Sequence, residues 1–191
     1  LSAVGPWEFT PGQWLPVICS LTVLDAKTKL PFQLQYDTPE TLGKDRIALA
    51  AAAIFAYPNQ NALVIDAGTC ITYELITAGK VYRGGAISPG LQMRYRAMHE
   101  GTAKLPLLEP EVPEKLTGTS TTGGMHSGVF HGICFEIQGV IAEYKALFPD
   151  LTVILTGGDA QFLSKQLKNT IFAHSNFLLQ GLNFLLEHNK S

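Results

Sequence analysis

The sequence predicts an α/β fold in which helices flank a mixed β-sheet, and three observations support this prediction. Short apolar runs with strand-like composition alternate with longer helical patterns. The buried-strand pattern at residues 151–155 runs directly into a glycine pair, which is typical of a strand-to-helix turn. Residues 122–148 carry apolar side chains at four-residue intervals, as expected for a long helix with one buried face.

The first part of the chain predicts strands, loops and one helix. Residues 15–19 and 32–36 are apolar pieces separated by proline and glycine, which indicates short strands. A helix is predicted to open at Thr38, because threonine can cap and proline suits the first turn, and to stop before Pro58. Its many alanines would let another backbone approach closely, as at a domain junction.

The remaining elements follow the same reasoning. Strands are predicted over 61–66, 71–77, 80–87 and 151–155, and helices over 89–100, 122–148, 160–167 and 176–187. Three strands, two helices, a strand and two helices form the layout of one actin-like ATPase (ribonuclease H-like) subdomain. We therefore predict that residues 1–58 are the remainder of a first subdomain with a linking helix, and that residues 59–191 form the second.

Composition excludes several classes of function. The chain has 14 basic and 16 acidic residues among 191, and no basic run favours nucleic acid or an anionic membrane. No apolar run is long enough to span a bilayer. Three widely spaced cysteines indicate reduced thiols in a cytoplasmic protein and not a disulfide framework.

One candidate site is the turn Asp66-Ala67-Gly68-Thr69, which closes an apolar strand. Glycine lets the backbone approach a phosphate, its amides can donate to phosphate oxygens, and the Thr69 hydroxyl adds a donor. Asp66 can hold a cation, since a carboxylate oxygen suits magnesium or potassium. The alternative is an ordinary hairpin turn.

A second candidate is Gly43-Lys44-Asp45-Arg46. Arg46 offers a planar fork for a carboxylate or phosphate, and Asp45 could accept the proton of an attacking hydroxyl. The alternative is an exposed ion pair on a helix surface, which contributes little.

Two further segments are candidates. Gly157-Gly158 follows a buried strand, makes room for a base or ribose and precedes a helix N-terminus; the alternative is a turn that needs positive φ. Residues 117–124 are rich in Gly, Ser and Thr, and they would cap the long helix or hydrogen-bond a hydroxylated substrate. Gly124, Gly128 and Gly132 form a small-residue line that predicts packing against the sheet or a partner subunit.

The order of these motifs resembles that of the type III pantothenate kinases, from about Tyr36 to the C-terminus. The matching segments are Tyr36, Gly43-x-Asp45-Arg46, Asp66-x-Gly68-Thr69, Gly84-Gly85-x-Ile87-x-Pro89-Gly90, Thr121-x-x-Gly124-Met125-x-Ser127-Gly128 and Thr156-Gly157-Gly158. The resemblance implies the actin-like fold of the acetate and sugar kinase, Hsp70 and actin superfamily. It also implies ATP-dependent phosphorylation of pantothenate, the first step of coenzyme A biosynthesis.

The resemblance also implies roles for individual residues. Asp45 would be the proton acceptor, while Gly43, Lys44, Arg46 and a tyrosine seven positions earlier, Tyr36, would contact pantothenate. Asp66 would bind a monovalent cation, K⁺ or NH₄⁺, with Mg²⁺ accompanying ATP. The remaining predicted contacts are those of ATP with Gly68, Thr69, Gly157 and Gly158, and that of substrate with Thr121. A homodimer is implied, without nucleic acid or membrane as a partner.

The sequence departs from the family pattern in a few places. Cys70 stands where Ala is usual, Glu74 where a second Asp is usual, and Gly124 where Ala is common. Family members begin with a strand carrying Asp-x-Gly-Asn-Thr, which these residues lack, so we expect that segment to be missing and turnover to be poor. The alternatives are a catalytically weak accessory transcriptional regulator, or a related kinase or phosphatase acting on a different small acid.

Overall fold

The computed structural model describes residues 22–167 and 171–190. The strand predicted over residues 15–19 lies outside this range. The strands are β1 Gln33–Leu34, β2 Ala62–Ala67, β3 Cys70–Ile76, β4 Val81–Pro89, β5 Thr152–Thr156 and β6 Ile171–Ala173. The helices are α1 Lys44–Ala56, α2 Leu91–Glu100, α3 Thr121–Leu147, α4 Ala160–Ser164 and α5 Phe177–His188.

The strands form one six-stranded mixed sheet in the order β1-β4-β3-β2-β5-β6. Strands β2, β3 and β4 are an antiparallel meander, while β5 lies parallel to β2 and β6 parallel to β5. This arrangement confirms the predicted α/β class, with helices flanking a mixed sheet. Strand β6 was not predicted, and short β1 adds to the far edge in parallel with β4.

The helix predicted to open at Thr38 begins later in the chain, so its predicted start was wrong. A 3₁₀ turn covers Pro39–Thr41, after which Leu42 is extended, with φ −66° and ψ 125°. The Leu42 side chain is buried, and anchoring it in the core interrupts the helical path. Helix α1 therefore starts at Lys44, which leaves Asp45 in its first turn.

Helices cover both faces of the sheet. Alternate residues of β2 point to opposite sides, so Leu63 and Ile65 pack with α3, whereas Val64 packs with α1 and α5. The alanines of α1 at positions 48 and 50–53 are buried, and a Cβ on Gly181 of α5 would overlap the carbonyl oxygen of Ala48. The alanines thus allow the predicted close approach, here to α5. The predicted boundary after residue 58 stays a prediction.

Helix α3 has one buried and one open face. Of its predicted apolar line, Met125, Val129, Ile133 and Ile137 are buried and Ile141 is half-buried. The glycine line does not pack against the sheet, because Gly124 and Gly128 are exposed and a Cβ there would have no neighbour within 4 Å. Among the described residues, no helix combines the length and apolarity needed to cross a bilayer.

Candidate active site

Asp66 lies near the end of β2, beside the tight hairpin that leads into β3. The hairpin closes through the Gly68 N–H, which donates to the Cys70 carbonyl at 2.9 Å. Thr69 at its tip is exposed, and a Cβ on Gly68 would meet nothing within 4 Å. The hairpin therefore leaves its backbone open to a ligand.

The turn that follows β5 lies directly against Asp66. Strand β5 pairs with β2 so that Thr156 is opposite Asp66. Gly157 has φ +96°, and a Cβ on it would overlap the Ala67 carbonyl oxygen and Oδ1 of Asp66. The Asp159 N–H donates to the same carbonyl at 2.9 Å. The sheet register thus brings together the two glycine turns that the sequence predicted separately.

Asp66 and the turn after β5 border a cavity of about 650 Å³, a volume in the range of small-molecule sites. Its lining includes Asp66, Gly157 and Gly158. It also includes residues that sequence reasoning missed, among them Gln161 and Ser164 on α4 and His174, Ser175 and Asn176. The last three connect β6 to α5, and since β6 was not predicted, no local signal pointed to them.

Asp45 is positioned by the first turn of α1. Its Oδ1 accepts the N–H of Arg46 at 2.9 Å. A Cβ on Gly43 would overlap this oxygen, so the glycine makes room for the carboxylate. Lys44, the remaining member of the motif, is exposed.

Arg46 is buried, with only 6% of its surface exposed. Its Nε donates to Oε1 of Glu74 at 2.7 Å, and its Nη1 donates to Tyr36 Oη at 3.3 Å. Tyr82 Oη donates to the other Glu74 oxygen at 2.6 Å. The Tyr36 ring centroid lies 5.6 Å from the guanidinium carbon. The alternative of an exposed ion pair is wrong, because the pair is buried and its acid is Glu74.

Arg46 is fully protonated in this ion pair. Burial lowers the pKa of Arg46, but the hydrogen bond and negative charge of Glu74 outweigh burial and raise it above its ordinary value. Burial also raises the pKa of Glu74, against the hydrogen bonds from Arg46 and Tyr82. Arg46 is therefore a fixed cation with a defined orientation.

Negative charge accumulates around Asp66. Burial, together with the negative charges of Asp45 and Glu74, raises the pKa of Asp66 to about 6. The two predicted motifs therefore share one electrostatic environment. No cluster of three or more His, Cys, Asp or Glu side chains suited to a metal occurs within the described part of the chain. A cation at Asp66 would take its other ligands from water, backbone carbonyls or a bound anion.

The raised pKa of Asp66 predicts a pH-dependent stability. Its folded value of about 6 lies above the ordinary 3.8, so the protonated form stabilises the fold and this contribution is lost as pH rises from about 4 to 6. At pH 7.5 we expect Asp66→Asn to be more stable than the wild type by about 1–2 kcal/mol, since part of the carboxyl contacts solvent. Urea titrations from pH 4 to 7.5 measure this, and a gain that does not shrink at pH 4 would contradict it.

Gly157 and Gly158 provide a matched pair of substitutions. Alanine at 157 requires a strained backbone and meets the Ala67 carbonyl and Asp66, whereas a Cβ on Gly158 has nothing within 4 Å. We expect Gly157→Ala to lower the free energy of unfolding by about 1–3 kcal/mol and Gly158→Ala to change it by less than about 0.5 kcal/mol. Chemical denaturation measures both, and equal losses would refute this account.

Thr121 is the first residue of α3 and is exposed. The preceding Ser120 caps the helix, since its Oγ accepts the Gly123 N–H at 3.0 Å, which confirms the predicted capping function of this segment. Within the described residues, no hydrogen bond joins Thr121 to Asp45 or Asp66. Its predicted contact with substrate stays a prediction.

The sequence matches known proteins over most of its length. The family profile described as type III pantothenate kinase matches residues 13–143. A type III pantothenate kinase of Christiangramia forsetii is 58% identical over 172 residues, covering 90% of this chain and 71% of the relative. That of Flavobacterium psychrophilum is 51% identical over 167 residues, covering 87% and 69% respectively.

A solved structure shares the fold. It is described as a conserved Baf family transcriptional activator from Campylobacter jejuni, and it matches with a TM-score of 0.61 and 23% identity, covering 83% of this chain and 69% of that one. This likeness concerns the fold alone. The family profile and the two relatives show that the chain, with its motifs assembled around Asp66 and Arg46, belongs to the type III pantothenate kinase family.

Proposed function

We propose that this protein phosphorylates the primary hydroxyl of pantothenate with ATP, the first step of coenzyme A biosynthesis. One observation carries the proposal: the register of β2 and β5 places the Gly157 turn directly against Asp66, at the wall of a cavity of about 650 Å³. The hairpin that would face the phosphates and the turn that would face the nucleoside thus meet at one site, as phosphoryl transfer requires. The negative charge of Asp45 contributes to the raised pKa of Asp66, which supports placing the Gly43–Arg46 motif, here called the acceptor half, at the same site.

Asp45 accepts the proton of the pantothenate hydroxyl. The hydroxyl oxygen then bonds to the γ-phosphorus of ATP, the bond to the bridging oxygen breaks, and ADP leaves. A carboxylate is sufficient for this role, because the transition state of phosphoryl transfer is loose. Gly43 supports the geometry by leaving space for the Asp45 oxygen.

Arg46 binds the carboxylate of pantothenate. Its Nε and Nη1 are held by Glu74 and Tyr36, while Nη2 has no protein partner among the described residues and can donate to the substrate. Tyr36 and the exposed Lys44 border the same acceptor half of the site. The positive charge of Arg46 also offsets the repulsion between an anionic substrate and the negative charges of Asp45 and Asp66.

ATP binds across the two glycine turns. Gly68 and Thr69 face the phosphates, and Gly157 and Gly158 face the ribose or base in the cavity. Asp66 would hold a monovalent cation, K⁺ or NH₄⁺, since a positive ion would offset the repulsion between this half-buried carboxylate and the negative charges of Asp45 and Glu74. That cation, with Mg²⁺ on the nucleotide, would supply positive charge to offset that of the phosphates.

A coupled assay of ADP formation tests this function. The purified protein is incubated with ATP, Mg²⁺ and pantothenate, in potassium, ammonium or sodium chloride. We expect ADP release to depend on pantothenate and to be faster in K⁺ or NH₄⁺ than in Na⁺. Release that is independent of pantothenate would refute the substrate, and a panel of other hydroxy acids would then identify it. Indifference to the cation would refute the site at Asp66.

We also propose a homodimer formed through the glycine line of α3, which would bring Thr121 of each chain toward a site of its partner. The support is an open face of small residues next to exposed Phe135. Gly128→Leu should yield the monomer mass in light scattering, since no neighbour within the chain opposes the side chain.

Gln138→Leu is the matched control for this prediction. Gln138 is also exposed on α3 but lies about 80° around the helix from Gly128, so this variant should remain dimeric. A monomeric wild type, or a dimeric Gly128→Leu variant, would refute the proposed interface.

The cytoplasm is the proposed location, and the free thiols of Cys70 and Cys134 suit its reducing conditions. The alternative of an accessory transcriptional regulator stays a prediction. A DNA titration at increasing salt tests it, since regulatory binding would weaken steeply with salt.

A further inference from the structure

Arg94 joins three elements behind the phosphate hairpin. From α2, its Nε donates to the Pro89 carbonyl at 2.9 Å and its Nη2 donates to Ser88 Oγ at 2.9 Å. The same Nη2 also donates to Oε2 of Glu136 on α3. Glu136 in turn accepts the Tyr73 hydroxyl of β3 on Oε1, at 2.8 Å. The guanidinium therefore fixes the C-terminal end of β4 relative to β3 and α3.

The end of β4 and the following Gly90 lie against the hairpin. The Gly90 N–H donates to the Thr69 carbonyl at 3.1 Å. A Cβ on Gly90 would overlap the carbonyl oxygens of Gly68 and Thr69, so the two backbones are in direct contact. A shift of Pro89 or Gly90 would move the hairpin that faces the phosphates.

The strength of the ion pair does not by itself explain the cluster. The side chains of Arg94 and Glu136 are 21% and 28% exposed, and partly exposed pairs stabilise a fold only modestly. Burial tends to raise the pKa of Glu136, but hydrogen bonds from Arg94, Ser88 and Tyr73 outweigh it and keep the group ionised. Four hydrogen bonds that join four elements, α2, α3, β3 and β4, supply precision of position more than stability.

We propose that Arg94 is a positioning residue for ATP, holding the Gly68–Thr69 hairpin in place through the Ser88-Pro89-Gly90 segment at the end of β4, with Glu136 as its anchor on α3. The inference rests on the proposed function in that ATP phosphates bind this hairpin. Arg94 itself need not touch substrate. Substitution of Arg94 should weaken ATP binding and leave the acceptor half of the site, which is built on α1, unchanged.

The test compares Arg94→Gln, Arg94→Lys and Glu136→Gln with Arg96→Gln. Arg96 lies two positions further along α2 and is exposed, which makes it a matched control. We expect Arg94→Gln to raise the KM and the calorimetric Kd for ATP about tenfold, with the KM for pantothenate within about twofold of the wild type. Arg94→Lys should recover part of the ATP affinity, because lysine can still donate to one acceptor.

Two outcomes would overturn the inference. One is an Arg94→Gln variant that binds ATP as the wild type does. The other is an equal rise in the KM for ATP and the KM for pantothenate, in proportion to the loss in free energy of unfolding measured by denaturation. The calorimetric Kd is obtained without pantothenate, so it separates this inference from the proposed function. A wild type that binds ATP but does not phosphorylate pantothenate refutes the function alone, and weaker ATP binding by Arg94→Gln would still support the positioning role. No ATP binding by the wild type would overturn both.

Discussion

Replacement of Asp45 by Asn is expected to lower kcat for pantothenate phosphorylation by about 10²–10⁴-fold while leaving the fold unchanged. Asparagine has nearly the same shape, and its Oδ1 can still accept the Arg46 N–H that Asp45 accepts at 2.9 Å. The start of α1 should therefore be preserved. What is lost is a group that can take the proton of the attacking hydroxyl.

Steady-state ADP formation and circular dichroism measure the two parts of this expectation. Glu40→Gln is the control, because Glu40 is an exposed carboxylate in the 3₁₀ turn just before α1. Wild-type turnover in Asp45→Asn would show that Asp45 is not the base. An independent readout is the pKa of Asp66, which should fall from about 6 in this variant because a neighbouring charge has been removed.

Local patterns were sufficient to predict most of the elements and the candidate turns. The spacing of Met125, Val129, Ile133 and Ile137 determines which face of α3 is buried, and this information lies within one helix. Similarly, the Asp66 turn could be recognised in the sequence because a glycine directly follows an apolar strand. Each motif remained ambiguous alone, and only their order pointed to a common site.

Long-range pairing could not be predicted in the same way. Glu74 lies in an apolar stretch 28 positions from Arg46, and their contact depends on how α1 packs over β3. His174 reaches the cavity because β6 pairs with β5, a pairing between short segments with no strong periodic signal. The late start of α1 has a similar cause, since the burial of Leu42 is a tertiary effect that overrides a plausible cap at Thr38.

The buried pair of Arg46 and Glu74 predicts the largest effect on stability. Glu74 is fully buried, so Glu74→Ala leaves a desolvated guanidinium with Tyr36 as its remaining described partner. We expect a loss of about 3–5 kcal/mol in the free energy of unfolding, measured by chemical denaturation. Glu187→Ala is the matched control, because Glu187 pairs with Lys190 at 2.6 Å with both side chains more than half exposed, and its loss should be below about 1 kcal/mol.

A double substitution separates stability from function at this pair. Replacing both charges by methionine, as Arg46→Met with Glu74→Met, removes the unpaired cation and should recover much of the stability lost in Glu74→Ala. The same double variant should remain unable to bind pantothenate tightly, because the cation that faces the substrate carboxylate is gone, whereas its Kd for ATP should change little. Recovery of both stability and pantothenate affinity would mean that Arg46 serves only the fold. A Glu74→Ala variant no less stable than Glu187→Ala would show that the burial of this pair carries no energetic consequence.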